Sequence, residues 1–157
     1  MTGIRVAKPG EVRVLLLPVG SRSVVLPNPA VAEIIGLQSM ATAETAPEWW
    51  LGRIDWRGRP IPVVSFEGFM GGHEPERTVL RNHIAVLNTL NGNRALPYIG
   101  LLFHGTARLF RANADNLASD PSGDLDSPLI LEAVTVNNQP AWIPDLDALE
   151  SMVLSVT

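Results

Sequence analysis

Side chains able to do covalent or metal chemistry are few in this chain, and their spacing works against them. The histidines are His73, His83 and His104. A general base among them needs a nearby serine or threonine hydroxyl and a third group to orient the ring. No serine lies in a Gly-x-Ser-x-Gly elbow. His73 with Glu74 and Glu76 offers metal-ligand types on a glycine-rich loop, whereas zinc wants three or four ligands converging from rigid elements. Gly71-Gly72 and Gly92-Asn93-Arg94 lack the Gly-Lys-Ser/Thr that completes a phosphate loop. Asp124 with Asp126, and Asp145 with Asp147, are spaced as solvated turns or a helix start. There is no cysteine, hence no disulfide, thiolate ligand or cysteine nucleophile. The sequence therefore predicts no catalytic residue, no cofactor and no metal, and attention moves to surface.

The surface candidates lie in Pro47 to Phe66, PEWWLGRIDWRGRPIPVVSF, which holds three of the four tryptophans. Gly52, Ile54 and Trp56 share one face of an extended arm, with Arg53 and Asp55 opposite. Beyond a turn at Arg57-Gly58, Ile61 and Val63 share a face opposed by Pro62, Val64 and Phe66. This spacing predicts a twisted β-hairpin with one face in a core. Pro60 and Pro62 cannot donate ladder hydrogen bonds, so the second arm is expected at an edge or sharply turned near its start. Trp49 and Trp50 are adjacent and point opposite ways on a strand, so one is expected at the surface, as an interface anchor or as a cap on the barrel end. Trp56 and Trp142 are expected to be core or half-buried. A core this small is not expected to take all four tryptophans.

At 157 residues, with 46% hydrophobic and 18% charged residues, the chain reads as one globular domain or two very small ones. A mean hydropathy of +0.15 suggests apolar surface kept for a partner. Leu96 to Phe103 is far short of a membrane span, and the N-terminus lacks a signal peptide's apolar core, so the cytoplasm is expected with no direct membrane insertion. The net charge of −4 and scattered arginines argue against nucleic acid.

In order, strands are predicted over Val12–Pro18, Ser23–Leu26 and Val31–Ile35, then the hairpin, with a flexible boundary over Phe69–Arg77. His83–Leu90, Leu96–Phe103 and Thr106–Phe110 follow as strands, a helical turn within Asn113–Asp120, a final pair Leu129–Val136 and Ala141–Ile143, and a helix over Asp145–Leu154. The halves repeat weakly. Residues 53–60 align with 133–140, and Gly20-Ser21-Arg22 before Leu26-Pro27 aligns with Gly92-Asn93-Arg94 before Leu96-Pro97.

Pro47-Glu48-Trp49, Gly52, Ile54-Asp55-Trp56-Arg57-Gly58 and Ile61-Pro62-Val63-Val64 resemble the central signature of the CheW family, the coupling proteins of bacterial chemosensory arrays. Val31-Ala32-Glu33-Ile34 resembles that family's Val-x-Glu-Ile segment. The resemblance runs roughly from Glu11 to Val153. It departs at Asp55-Trp56 where the family often has Asn-Leu, at Ser65 where it has Asp, and at Glu132 where it has glycine. Such drift resembles CheW-like proteins of type IV pilus (twitching) systems.

The resemblance implies a mainly β fold of two tandem SH3-like five-stranded barrels with short helices and a C-terminal helix. Approximate subdomains are 11–70 with part of the C-terminus, and 80–145. It implies a non-enzymatic adaptor whose partners are the regulatory domain of a chemosensory histidine kinase and the cytoplasmic tip of a chemoreceptor. One barrel's apolar end would dock on the kinase, leaving the groove between barrels for a receptor helix. Glu33, Arg57 and Gly58 are the expected interface-organising residues, with an Arg57–Glu33 ion pair holding the hairpin tip. Trp49, Ile54, Ile61 and Val63 would supply apolar shape. Two alternatives stay open: a ligand-binding or hydrolytic barrel using His83 or His104 with a carboxylate, and a generic SH3-like module for proline-rich peptides.

Overall fold

The computed structural model describes residues 10–20, 22–40, 46–70, 82–120 and 127–156. The sequence-based expectations for Ser21, for residues 71–77 of the 69–77 boundary with His73, Glu74 and Glu76, and for Asp124 and Asp126 lie outside these residues. Eleven strands are present: β1 (Val12–Pro18), β2 (Ser23–Pro27), β3 (Val31–Gly36), β4 (Trp50–Trp56), β5 (Arg59–Ser65), β6 (Asn82–Asn88), β7 (Tyr98–His104), β8 (Arg108–Ala112), β9 (Leu117–Ser119), β10 (Ile130–Val136) and β11 (Gln139–Pro144). Two α-helices join them, α1 (Phe66–Phe69) and α2 (Leu146–Leu154). The helical turn expected within 113–120 is present at its start, where Asn116 N–H and Leu117 N–H donate to Asn113 O, and β9 follows it. The residues of β9 pair with β10 from Val134 to Val136, because only this strand covers that side of the hairpin.

One sheet runs β8-β1-β2-β11-β10-β9 and the other β3-β6-β7-β5-β4. The fold is thus mainly β in two strand modules, as expected, with six strands in one module instead of five. Both follow one plan: two antiparallel hairpins joined by a parallel contact, β2 beside β11 and β7 beside β5, with a further strand on the outer flank. The first hairpin, β1–β2, joins β8 to β11, while β3 to β7 form the other sheet.

The weak sequence repeat is a repeat of backbone geometry. Ser65 N–H donates to Trp49 O at 2.8 Å, and Asp145 N–H to Leu129 O at 2.7 Å. Trp50 N–H donates to Pro47 O, and Ile130 N–H to Ser127 O. Ladder irregularities fall at Trp50/Gly52 and at Ile130/Glu132. Ser65 caps α1 by accepting from Gly68 N–H, and Asp145 caps α2 by accepting from Ala148 N–H. All these pairs share one offset, the offset of 53–60 to 133–140. The other alignment holds only hairpin for hairpin: Leu26-Pro27 ends β2, whereas Leu96-Pro97 precedes β7.

Three cores result. Ile54, Trp56, Ile61, Val63, Ile84 and Leu102 cluster on one face of the five-stranded sheet. Val14, Val25, Ala112, Val134 and Ala141 do so on one face of the six-stranded sheet. The largest cluster draws on both, from Leu17, Val24 and Leu26 to Val64, Phe66, Leu101 and Phe103, with Leu149 and Val153 of α2. Strands with two buried faces leave little room for polar alternation. That is why β5 is buried on both sides after Pro60, not on one.

Two further expectations change. β5 is internal, lying between β4 and β7. Its prolines are tolerated because the two-residue turn directs residues 59, 61 and 63 at β4, and β7 pairs only with Val63 to Ser65. The backbone nitrogens of Pro60 and Pro62 thus face away from β4, ahead of the pairing with β7. Trp56 is buried and Trp142 half-buried, as expected, but Trp49 and Trp50 are both buried where one was expected at the surface. Trp49 precedes β4 in a turn, so strand alternation does not reach it, and both indoles enter the shared core. There Trp49 stacks on Phe69 with ring centroids 4.6 Å apart and meets Trp50 edge-on at 6.2 Å.

Candidate functional site

The tip of the β4–β5 hairpin is the most constrained surface feature among the expected site residues. Trp56 pairs with Arg59, leaving Arg57 and Gly58 as a two-residue turn with φ of 50° and 75°. Positive φ at both positions matches the right-handed twist of the flanking strands, and glycine takes it at no steric cost. The repeat-equivalent turn, Asn137-Asn138, has φ of 52° and 67°.

Arg57 is held from two sides. Its guanidinium lies 4.6 Å from the centroid of the Trp56 ring. Its Nη2 donates to Glu33 Oε1 at 2.9 Å. Glu33 sits on β3, just past a ladder irregularity between Val31 and Glu33. The arginine side chain keeps 70% of its surface exposed and the glutamate 38%. In water a pair this open is worth at most ~1 kcal/mol, so its consequence is orientation more than stability. The pair expected from the sequence is thus present.

Arg53 and Arg59 repeat the pattern, over Trp50 at 5.0 Å and over Tyr98 at 5.9 Å. The hairpin therefore carries three exposed guanidiniums on aromatic platforms. Trp56 had only a core role from the sequence; its service as the platform for Arg57 came from a neighbour in the chain and was open to notice. Tyr98 lies across the sheet, and no local signal joins it to Arg59.

Behind the tip, Trp49, Ile54, Ile61 and Val63 are all buried. Trp49 and Trp50 thus both lie inside, where one of the two was expected at the surface. Ser65, in place of the family's Asp, still supplies a capping oxygen to α1. A second ion pair escaped the sequence reading. Arg22 Nη2 donates to Asp120 Oδ2 at 2.7 Å and also reaches the carbonyls of Val134 and Ala141, tying the β1–β2 turn to the β10–β11 hairpin.

His83 and His104 stand on the neighbouring strands β6 and β7 in structural contacts. His104 Nδ1 is 2.6 Å from Asn82 Oδ1, and His83 stacks on Phe103 with centroids 5.5 Å apart. Among the described residues no group of three or more His, Cys, Asp or Glu is placed to hold a metal ion. Among them, too, no helix is long and apolar enough to cross a membrane.

Two curled sheets around a shared core, with an oriented hairpin tip on one of them, define a class of β scaffold. The CheW-like domain family model matches residues 13–153, and the chain belongs to that family. Solved structures agree in fold, among them the scaffolding protein TtCheW from Thermoanaerobacter tengcongensis. It is 16% identical, with a TM-score of 0.72 over 92% of this chain and 91% of that one. No curated protein matches the chain.

Proposed function

We infer that the chain is a non-enzymatic adaptor coupling a chemoreceptor to a chemosensory histidine kinase. One observation carries the reading: a CheW-like domain whose hairpin tip, Arg57-Gly58, is exposed yet fixed by Glu33 and Trp56. A tip already ordered before docking loses less side-chain freedom when a partner closes on it. The buried Trp49, Ile54, Ile61 and Val63 hold the strands that carry it. Charged partners are steered by such a tip, while the apolar contact around it supplies affinity.

The partners on this reading are the regulatory domain of the kinase and the cytoplasmic tip of the receptor, engaged in the cytoplasm. The pathway is chemotaxis or pilus-driven twitching motility. No specific observation favours the hydrolytic alternative, since His83 and His104 make structural contacts with Phe103 and Asn82.

The test is direct titration of the purified chain with a kinase regulatory domain and a receptor-tip fragment from one chemosensory operon. Saturable binding to both, with a ternary complex on mixing, is expected. Binding to neither contradicts the reading.

A further inference from the structure

We propose that the cleft between the β4–β5 hairpin tip and the β6–β7 loop is a docking site for an acidic segment of a partner protein, read by Arg59 and Arg94. The cleft has a volume of about 350 Å³ and is lined by both arginines together with Asn88, Thr89, Asn93 and Tyr98. Neither arginine belongs to an ion pair among the described residues, although the chain as a whole carries a net charge of −4. Two such guanidiniums facing one cleft on an acidic protein create a local potential of the opposite sign.

The Arg59 side chain and the loop that carries Arg94 are pre-positioned. Arg59 lies over the ring of Tyr98, which is itself in edge contact with Trp56 at 4.7 Å. With that ring already engaged, the cleft offers hydrogen-bond donors and not a stacking surface. Arg94 sits in a loop closed by its own backbone: Ala95 N–H donates to Asn93 Oδ1, Leu96 N–H to Asn93 O, and Thr89 N–H to Pro97 O. Asn91 ties the loop to α2 through Asp147 and Glu150. Guanidinium forks suit carboxylates, which they can bind through paired N–H donors.

The segment is assigned to a partner and not to a free anion because both arginines are exposed. Exposed ion pairs contribute at most ~1 kcal/mol each, too little to retain a small anion at cellular concentrations. A segment delivered by docking at the adjacent Arg57-Gly58 tip arrives at an effective concentration in the millimolar range, so that even weak pairs add to the affinity of the whole contact. In this respect alone the proposal rests on the adaptor reading.

The test needs neither kinase nor receptor. The full chain, labelled with nitrogen-15, is titrated at low ionic strength with a hexaglutamate peptide and, separately, with inorganic phosphate. Shifts confined to Arg59, Arg94, Tyr98 and the 89–97 loop, growing through the millimolar range of peptide, are expected. They should weaken about tenfold in the R59Q/R94Q variant and with added salt. Absent or diffuse shifts, undiminished binding by the variant, or equal shifts with phosphate would each overturn it. None of these outcomes bears on whether the chain binds a kinase, so the two readings fail separately.

Discussion

Arg57 Nη2 and Glu33 Oε1 lie 2.9 Å apart although β3 and β4 are the opposite edges of one five-stranded sheet. The pair bridges these two edges, from the turn that follows β4 to β3, and marks the seam between them. Both side chains are substantially exposed, so the pair contributes little to stability. A double-mutant cycle over Glu33→Ala and Arg57→Ala should give a coupling free energy of about 0.2–1 kcal/mol by urea unfolding. A much larger value would mean that the seam depends on the pair.

The two repeat-equivalent turns respond oppositely to substitution. Gly58 has φ of 75°, and a Cβ there would have no atom within 4 Å, so Gly58→Val meets no clash and suffers only from the backbone conformation. The expected cost is about 1–2 kcal/mol, the penalty of a left-handed conformation for an L residue. At Asn138, with φ of 67°, Asn138→Gly should be neutral or stabilising by a few tenths of a kcal/mol. Thermal unfolding of both variants reads the difference.

Gly68 is required by close approach. A Cβ there would lie 2.7 Å from Trp49 Cα and 3.1 Å from Glu48 O, backbone atoms that cannot rotate away. Gly68→Ala should therefore destabilise by about 1–3 kcal/mol, the usual cost of overpacking, despite its gain in helix propensity. Denaturant titration followed by tryptophan fluorescence checks it through Trp49, the residue displaced.

The buried set behind the tip should influence binding only through folding. Ile61→Val removes one methylene from the core inside the five-stranded sheet and should cost about 0.5–1.5 kcal/mol. Partner affinity should stay within about twofold of wild type at a temperature where the variant is folded. A selective loss of affinity would place Ile61 in direct contact with the partner.

Much of this was legible because it is local. Period-two spacing located the β4–β5 hairpin and its faces, and Asp145 with Leu146, Leu149 and Val153 marked α2. What the sequence concealed is non-local. Nothing in the spacing says that β1–β2 pairs with β8 and β11, or that Pro60 and Pro62 sit inside a sheet beside a short parallel contact. The burial of both Trp49 and Trp50 follows from the turn before β4 and from a second sheet packed on the first. Glu33 and Arg57 were legible as a pair only through the family resemblance. Arg22–Asp120, half-buried at the join of two hairpins, carried no signal of any kind.

The most direct test of the adaptor account is the affinity of the Arg57→Glu variant for a cognate kinase regulatory domain, measured beside its unfolding free energy. Charge reversal sets two carboxylates against each other at the seam, on a surface-exposed side chain. The account predicts a stability loss no greater than about 1 kcal/mol and an affinity at least about tenfold weaker. A folded variant that binds the kinase as tightly as wild type would contradict it.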